Sequence, residues 1–220
     1  MIHEAERYET AVALTPATDD VGKVVDALGD ASWRVRKAAV QAALRFAKNE
    51  TLVPALIAAL ADHENAGLRN AASETLVLLG APVVEQIVRQ LSRADADQRK
   101  FMVEVLGVIG TAAAQAALFA VQDDVDVNVR AAVAESLGRI GGDAVIGRLR
   151  ERLQGTQNDL QAAVYVLEAL ARAGACVPLV ELQWFVANPS LARSLYPVLG
   201  NTADPRVVPI LLEAIASAPE

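Results

Sequence analysis

The sequence is poor in cysteine, histidine and aromatic residues. It has one cysteine, Cys176, two histidines and 4% aromatic residues among 220. A single cysteine can form neither an intrachain disulfide nor a cysteine-based zinc site, so we expect Cys176 to be a small buried apolar residue. The two histidines each precede a glutamate, but one pair opens the chain and the other lies in a turn. We therefore predict no metal site and no cofactor.

Positive charge is also in deficit. The chain has 20 basic and 27 acidic side chains and a formal net charge of −7. This balance gives no excess of positive charge that could bind a phosphate backbone, and it argues against nucleic acid as a partner. The first ten residues are polar and acidic, unlike a secretory signal, which favours a cytoplasmic location. The longest apolar stretch, residues 105–121, is interrupted by Gly107, Gly110 and Thr111 and is too short for a bilayer, so we expect no membrane contact.

What the sequence has in abundance is alanine within a 53% hydrophobic composition, arranged as a repeat. An arginine recurs in the segments VRKAAVQAALRF, LRNAASETLVLLG, QRKFMVEVLGVIG and VRAAVAESLGRIG, at a spacing of about 31 residues. Two weaker copies start at Leu160 and Leu191, the second interrupted by Pro197. Within each copy apolar residues recur every three or four positions, which predicts an amphipathic helix.

Glycines follow the apolar runs, and a second apolar segment follows each glycine. Residues 80, 110, 141, 174 and 200 are glycines placed to close a first helix, and Pro54, Pro82, Pro178 and Pro205 stand near the start of a second. One such helix pair cannot bury its own apolar faces, so the pairs must stack. We predict an all-α fold, a right-handed α-solenoid of the HEAT or armadillo type with about seven antiparallel helix pairs.

Three short sequence motifs indicate which type of helical repeat this is. These are D-x-x-W-R-V-R-x-A-A from Asp30, L-G-x-I-G from Leu106 and again from Leu137, and V-P-x-L from Val53, with the same V-P start at Val177. In these motifs the chain resembles the short bacterial HEAT repeat of the phycobilisome-lyase-like type. The resemblance implies a single domain over 1–220, with a degenerate capping pair at 1–30 and repeats at 31–61, 62–92, 93–123, 124–154, 155–187 and 188–217.

The recurrent arginines are interpreted as architecture. Each follows a turn that carries an acid, such as Asp30 or Asp62, and we predict a charged ladder between these groups that keeps the stack in register. The ladder arginines are Arg36, Arg69, Arg99 and Arg130. We also predict that Trp33, in the aromatic position of the repeat, and Trp184, aligned with Leu60 and Leu91, belong to the core.

No catalytic constellation stands out, because the recurring glutamates fall at one exposed helix position. We therefore predict a non-catalytic scaffold that binds a protein or peptide on the concave face formed by the second helices. The candidate partner-binding residues are Gln86, Arg89, Gln90, Phe119, Arg148, Arg152 and Gln183. Phe119 is expected to act as an apolar anchor.

Two alternatives remain open. The resemblance also implies an accessory factor or lyase of the bilin-lyase type, acting on a protein that carries a tetrapyrrole. In addition, the last helix has apolar residues on more than one face, where a terminal repeat should be polar. This pattern indicates either self-association or a natural chain that continues beyond residue 220.

Overall fold

The fold is described from a computed structural model, which covers residues 3–216. Ile2, in the predicted capping pair at 1–30, and Ser217, at the end of the last predicted repeat, lie outside the described residues. Fourteen α-helices are found in this range, in pairs and without strands, and the predicted all-α solenoid is confirmed. The helices are α1 Glu4–Ala13, α2 Val21–Leu28, α3 Trp33–Ala43, α4 Leu52–Ala59, α5 Ala66–Leu79, α6 Val84–Leu91, α7 Ala96–Ile109, α8 Ala112–Ala120, α9 Val127–Ile140, α10 Gly142–Gln154, α11 Leu160–Arg172, α12 Leu179–Val186, α13 Ala192–Gly200 and α14 Val207–Ala216.

Short polar side chains start the first helix of most pairs. Asn65 accepts a hydrogen bond from the Leu68 amide at α5, and Asp95 accepts one from the Gln98 amide at α7. Ser32, Asp126 and Asp159 have the same role at α3, α9 and α11. Each cap satisfies an amide that has no partner within its own helix, so the start of each first helix is fixed locally.

Glycines close several of these helices, as expected. Gly80, Gly110 and Gly141 follow α5, α7 and α9 with φ of 70°, 65° and 57°, a region that disfavours residues with a Cβ atom. Gly200 differs from the prediction, because it lies inside α13, which ends at a cap on Asn201.

Pro197 does not break its helix. It lies within α13, and both Pro197 and Arg193, whose carbonyl loses its helical partner, are exposed. The unpaired carbonyl can bond to water on that side of the helix, which removes most of the cost of a proline there.

The chain divides into two compact units, one up to Ala117 and one from Leu118 onward. In the first unit, α1, α3, α5 and α7 pack in succession, and in the second unit α9, α11 and α13 do the same. The core between these helices consists largely of small and branched side chains; Ala39 and Ala43 of α3, and Phe46 in the turn that follows it, are each at most 1% exposed. A helix pair buries its apolar faces only against its neighbours, as the repeat predicted.

Two stacked helices approach closely at Gly138 in α9. A Cβ atom at this position would lie 2.9 Å from both the Ala169 carbonyl oxygen and the Arg172 Cβ of α11. Gly147 in α10, in contrast, has nothing within 4 Å of an added Cβ. The glycine of the L-G-x-I-G motif therefore sets the spacing between two first helices.

Candidate functional site

Each ladder arginine binds the main chain of the turn before its own helix. Nη1 of Arg36 donates to the Asp30 carbonyl at 2.7 Å, and Nη1 of Arg130 donates to the Asp124 carbonyl at the same distance. Arg99 donates to the Ala94 carbonyl at 2.8 Å, and Arg69 makes a short bond to the Asp62 carbonyl. The contact that recurs at all four positions is with a carbonyl oxygen, where we predicted a carboxylate.

Three of these guanidinium groups also lie against the first helix of the following pair. The Arg69 guanidinium carbon is 5.4 Å from the centre of the Phe101 ring, and that of Arg130 is 5.7 Å from the Tyr165 ring. Arg36 lies against Gly67, where an added Cβ would be 3.0 Å from its guanidinium carbon. The arginine thus fixes its own turn and contacts the next repeat, a geometry consistent with a role in register.

The carboxylate of Asp30 takes part at the first turn through a different arginine. Nε of Arg7 donates to Asp30 Oδ2 at 2.7 Å, and the Ser32 amide donates to Oδ1 at 2.7 Å. Burial alone would raise the pKa of Asp30, but the hydrogen bonds from Arg7 and Ser32 outweigh it and the pKa lies below its usual value. This ion pair ties α1 to the start of α3.

The candidate residues of the first unit lie on α6. Gln86 is half-buried, whereas Arg89 and Gln90 are exposed. Nη1 of Arg89 donates to Glu85 Oε1 at 2.6 Å, an i,i+4 pair between two solvated side chains. The surface of α6 therefore presents two amides and one neutralised cation.

In the second unit, Phe119 and Arg148 form one contact. The Arg148 guanidinium carbon lies 3.8 Å from the centre of the Phe119 ring, and Phe119 is 6% exposed. The expectation that Phe119 is an open apolar anchor is wrong, because the arginine covers the ring. Arg152, one turn further along α10, makes a short ion pair with Asp123.

The buried face of α12 does not include Trp184, which we predicted to belong to the core. Leu179, Leu182 and Phe185 are buried, while Val180 is 66% exposed. Trp184 is therefore half-buried and packs edge-to-face on Phe185, with the ring centres 5.0 Å apart, instead of filling the core. Gln183 is exposed.

An ion pair joins α10 to α12 beside these residues. Nε of Arg150 donates to Glu181 Oε2 at 2.9 Å, a shorter bond joins Nη2 to Oε1, and Nε2 of Gln154 donates to the Glu181 carbonyl at 3.1 Å. The hydrogen bond to Glu181 raises the pKa of Arg150. The second helices of this unit are thus linked by polar contacts beside an exposed valine and a half-exposed tryptophan.

Two further expectations about the core are wrong. Cys176 is exposed, because the extended segment before α12 alternates and turns Ala175 and Val177 inward. Trp33 is 66% exposed at the first position of α3, directly after the turn.

The last helix is largely uncovered. On α14, only Val207 is buried, whereas Val208, Leu212 and Ile215 are 55%, 61% and 72% exposed. Self-association through this helix, or continuation of the chain, stays a prediction. Within residues 3–216, no single helix is both long and apolar enough to cross a membrane; only Ala66–Leu79 and Ala81–Leu91, bent by 110°, reach that length together.

Comparison with known proteins places the chain in a family. The profile described as HEAT repeats matches residues 21–100 and 84–171, which together span more than half of the chain. A curated relative, the phycocyanobilin lyase subunit beta of Thermosynechococcus vestitus (strain NIES-2133 / IAM M-273 / BP-1), is 36% identical over 124 residues, which make up 55% of this chain and 57% of the relative.

Two solved structures are more distant. The complex of CpcE and CpcF of phycocyanin lyase from Nostoc sp. PCC7120 matches with a TM-score of 0.40 and 19% identity, covering 99% of this chain and 91% of that chain. An engineered protein, Northeast Structural Genomics Consortium target OR329, also has a TM-score of 0.40 and 19% identity, covering 90% of this chain and 96% of that chain.

These similarities change one expectation and bear out another. The prediction that the protein is not an enzyme is wrong, since the similarity to a lyase subunit points to a lyase-type function. The resemblance inferred from the three motifs is confirmed by the family profile and by the 36% identity. The chain belongs to the HEAT-repeat family.

Proposed function

We propose that this chain is a subunit of a bilin lyase and acts on a tetrapyrrole together with the protein that carries it. The observation that carries the proposal is the 36% identity over 124 residues to a phycocyanobilin lyase subunit. That relative is named as a subunit, which supports a protein partner for this chain as well. The matched segment is 57% of the relative, so the activity is assigned to this chain by proposal.

The second helices of the second unit suit such a ligand. A bilin is a long conjugated molecule with an apolar body and two propionate groups. The Arg148 guanidinium is fixed on the Phe119 ring, and its N–H groups remain at the exposed edge of α10. Arg152 follows one turn later, half-buried and oriented by Asp123. Two cations four residues apart on one helix side can meet the carboxylates of one ligand.

The apolar part of this surface lies on α12. Val180 is exposed and Trp184 half-exposed, four residues apart on one side of the helix, with Gln183 beside them. An aromatic ring and a branched side chain can pack against a conjugated ring system, and the glutamine amide can hydrogen-bond to a lactam or carboxylate. We assign tetrapyrrole contact to Arg148, Arg152, Gln183 and the exposed side chains of α12.

The first unit receives the protein partner in this proposal. Gln86, Arg89 and Gln90 on α6 provide amide donors and acceptors, and Arg89 is already neutralised by Glu85. Such a surface suits a polar protein contact better than a charged small molecule.

The test is a titration of phycocyanobilin with the purified chain, followed by visible absorbance and circular dichroism. We expect a saturable spectral change and an induced dichroic band. Arg148→Glu should weaken binding by roughly five-fold or more, equivalent to ~1 kcal/mol. Arg139→Glu is the matched control, because Arg139 is an exposed arginine that pairs with Glu135 on a first helix.

Two results would contradict the proposal. One is a bilin spectrum that stays unchanged as the chain is added in excess. The other is equal weakening by Arg148→Glu and Arg139→Glu, which would place the ligand away from α10.

A further inference from the structure

Trp33 is not needed to build the repeat. The residues three positions before the ladder arginines Arg36, Arg69, Arg99 and Arg130 are, in order, Trp33, Ala66, Ala96 and Val127. Alanine suffices at this position in two of the four repeats, and Trp33 is 66% exposed. A large aromatic side chain that the fold neither buries nor requires is the kind of residue that anchors a protein contact.

A groove runs beside this tryptophan between α3 and α5. The indole of Trp33 and the side chains of Arg36 and Lys37 form one wall, and α5 provides the other. Val40 and Ala71, which are 1% and 5% exposed, make an apolar floor. Gly67 lets the Arg36 guanidinium lie flat at the edge of the groove, since an added Cβ would come within 3.0 Å of it.

The groove carries positive charge in an acidic chain. The side chains that line it include two cations, Arg36 and Lys37, and one carboxylate, Glu74, while the whole chain has a net charge of −7. Lys37 is neutralised by Glu74 at 2.6 Å, so the remaining positive charge is that of Arg36. Arg36 uses Nη1 for the Asp30 and Ala31 carbonyls, which leaves Nε and Nη2 to meet a ligand. The charge complement of this surface is a carboxylate.

We propose that this groove is a docking site for an acidic segment of a protein partner that carries a large apolar side chain next to a carboxylate. The apolar side chain packs on the Trp33 indole and the floor of Val40 and Ala71. The carboxylate binds the Arg36 guanidinium at the edge of the groove. The groove lies on first helices, apart from the second-helix residues assigned to the tetrapyrrole, and the inference does not depend on that assignment.

Selection from a display library of random dodecapeptides tests this proposal. The baits are the immobilised full chain and its Trp33→Ala variant. We expect the wild-type chain to enrich sequences in which acidic residues flank an aromatic or leucine residue, and the variant to lose them. Recovery of the same sequences on both baits, enrichment of basic sequences, or no enrichment over a blank surface would each overturn the proposal.

A synthetic copy of the most enriched peptide then gives the affinity and the site. Trp33→Ala should weaken binding by about ten-fold or more, as for a central aromatic anchor. Val127→Ala, the matched change in the second unit, should leave affinity unaltered. The indole N–H resonance that disappears in Trp33→Phe should shift on addition of the peptide. An unmoved indole signal, or equal weakening by Val127→Ala, would place the peptide elsewhere.

Stability measurements keep the variants interpretable. The melting temperature of Trp33→Ala should match that of the wild type, because the repeat accepts alanine at this position. Should the variant be less stable, Trp33→Phe provides a second comparison with the ring area largely retained. Full peptide affinity in a folded Trp33→Ala chain refutes the role of the indole.

Discussion

The spacing between α9 and α11 gives the sharpest prediction about stability. Replacing Gly138 with alanine adds a Cβ that would lie 2.9 Å from the Ala169 carbonyl oxygen, a backbone atom that cannot move without shifting α11. Gly147→Ala is the matched control, since it adds the same methyl group in the neighbouring helix where nothing lies within 4 Å. Both changes gain the same helix propensity, about 0.8–1.0 kcal/mol.

The difference between the two variants therefore isolates the cost of overpacking. Gly147→Ala should raise the free energy of unfolding by up to about 1 kcal/mol. Gly138→Ala should fall below Gly147→Ala by roughly 1–3 kcal/mol, the usual cost of inserting a methylene into a close-packed contact. At about 2–4 °C per kcal/mol for a chain of this size, the melting temperatures should differ by roughly 2–12 °C.

Thermal unfolding followed by circular dichroism at the helix band measures this difference. The two variants share wild-type sequence elsewhere, so effects on the unfolded chain largely cancel. A Gly138→Ala protein that melts at or above the temperature of Gly147→Ala would refute the close approach of α9 and α11 at this residue.

Three further predictions concern single contacts. Arg45→Ala removes the Nη1 hydrogen bonds at 2.8 Å to the Val12 and Leu14 carbonyls, so the free energy of unfolding should fall by roughly 1–2 kcal/mol and amide hydrogen exchange should accelerate in α1. Lys48→Ala, at an exposed lysine, is the control. Unchanged exchange in α1 would contradict the contact. Hydrogen bonds from the Thr15 amide, Lys23 and Thr18 lower the pKa of Asp19 to about 2. Because the pKa in the unfolded chain is ~3.9, the stabilising contribution of Asp19 is complete above pH ~4 and is lost as pH falls toward 2. Asp19→Asn should therefore reduce the change of melting temperature between those pH values, and a pH profile equal to that of the wild type would refute this role of Asp19. Arg130→Lys keeps the charge but loses the contact of the planar guanidinium with the Tyr165 ring and its forked hydrogen-bond geometry. The free energy of unfolding should fall by roughly 1 kcal/mol, and amide hydrogen exchange should become faster at residues 124–127. Exchange as slow as in the wild type would show that the ladder does not fix this turn.

The helices could be predicted from the sequence because local signals and the repeat agree. Asp95 and Asp126 mark helix starts, Gly80 and Gly110 mark helix ends, and the apolar period fixes the buried face. These features depend on neighbouring residues, so a single chain contains the information.

The contacts that depend on how side chains and helices pack in space could not be predicted from the sequence. The ladder arginines bind carbonyls because a guanidinium that folds back on its own turn reaches the main chain, a choice that spacing does not encode. On α12 the buried aromatic residue is Phe185, the chain neighbour of Trp184, because the face that packs is set by the adjacent helices. Trp33 lies at the edge of its repeat, where an aromatic position in a motif does not imply burial.

The candidate surface was predicted in part. Charge and helix period placed Arg148 and Arg152 one turn apart, but the cover that Arg148 forms over Phe119 depends on the distance between two helices. Individual residues gave even less support for a lyase-type function, because no catalytic group recurs in the repeats. That function was inferred only from the resemblance of the motifs, and the 36% identity to a lyase subunit supports it further.

The central proposal is that this HEAT-repeat chain takes part in a bilin lyase reaction. The most direct measurement is the amount of phycocyanobilin covalently bound to a phycobiliprotein acceptor after denaturing electrophoresis, in cells that make the bilin, the acceptor and a complementary lyase subunit, with and without this chain. The proposal predicts that the amount of chromophore on the acceptor changes clearly when the chain is present, and that Arg148→Glu reduces this change while Arg139→Glu does not. Equal chromophore on the acceptor with and without the chain would contradict it.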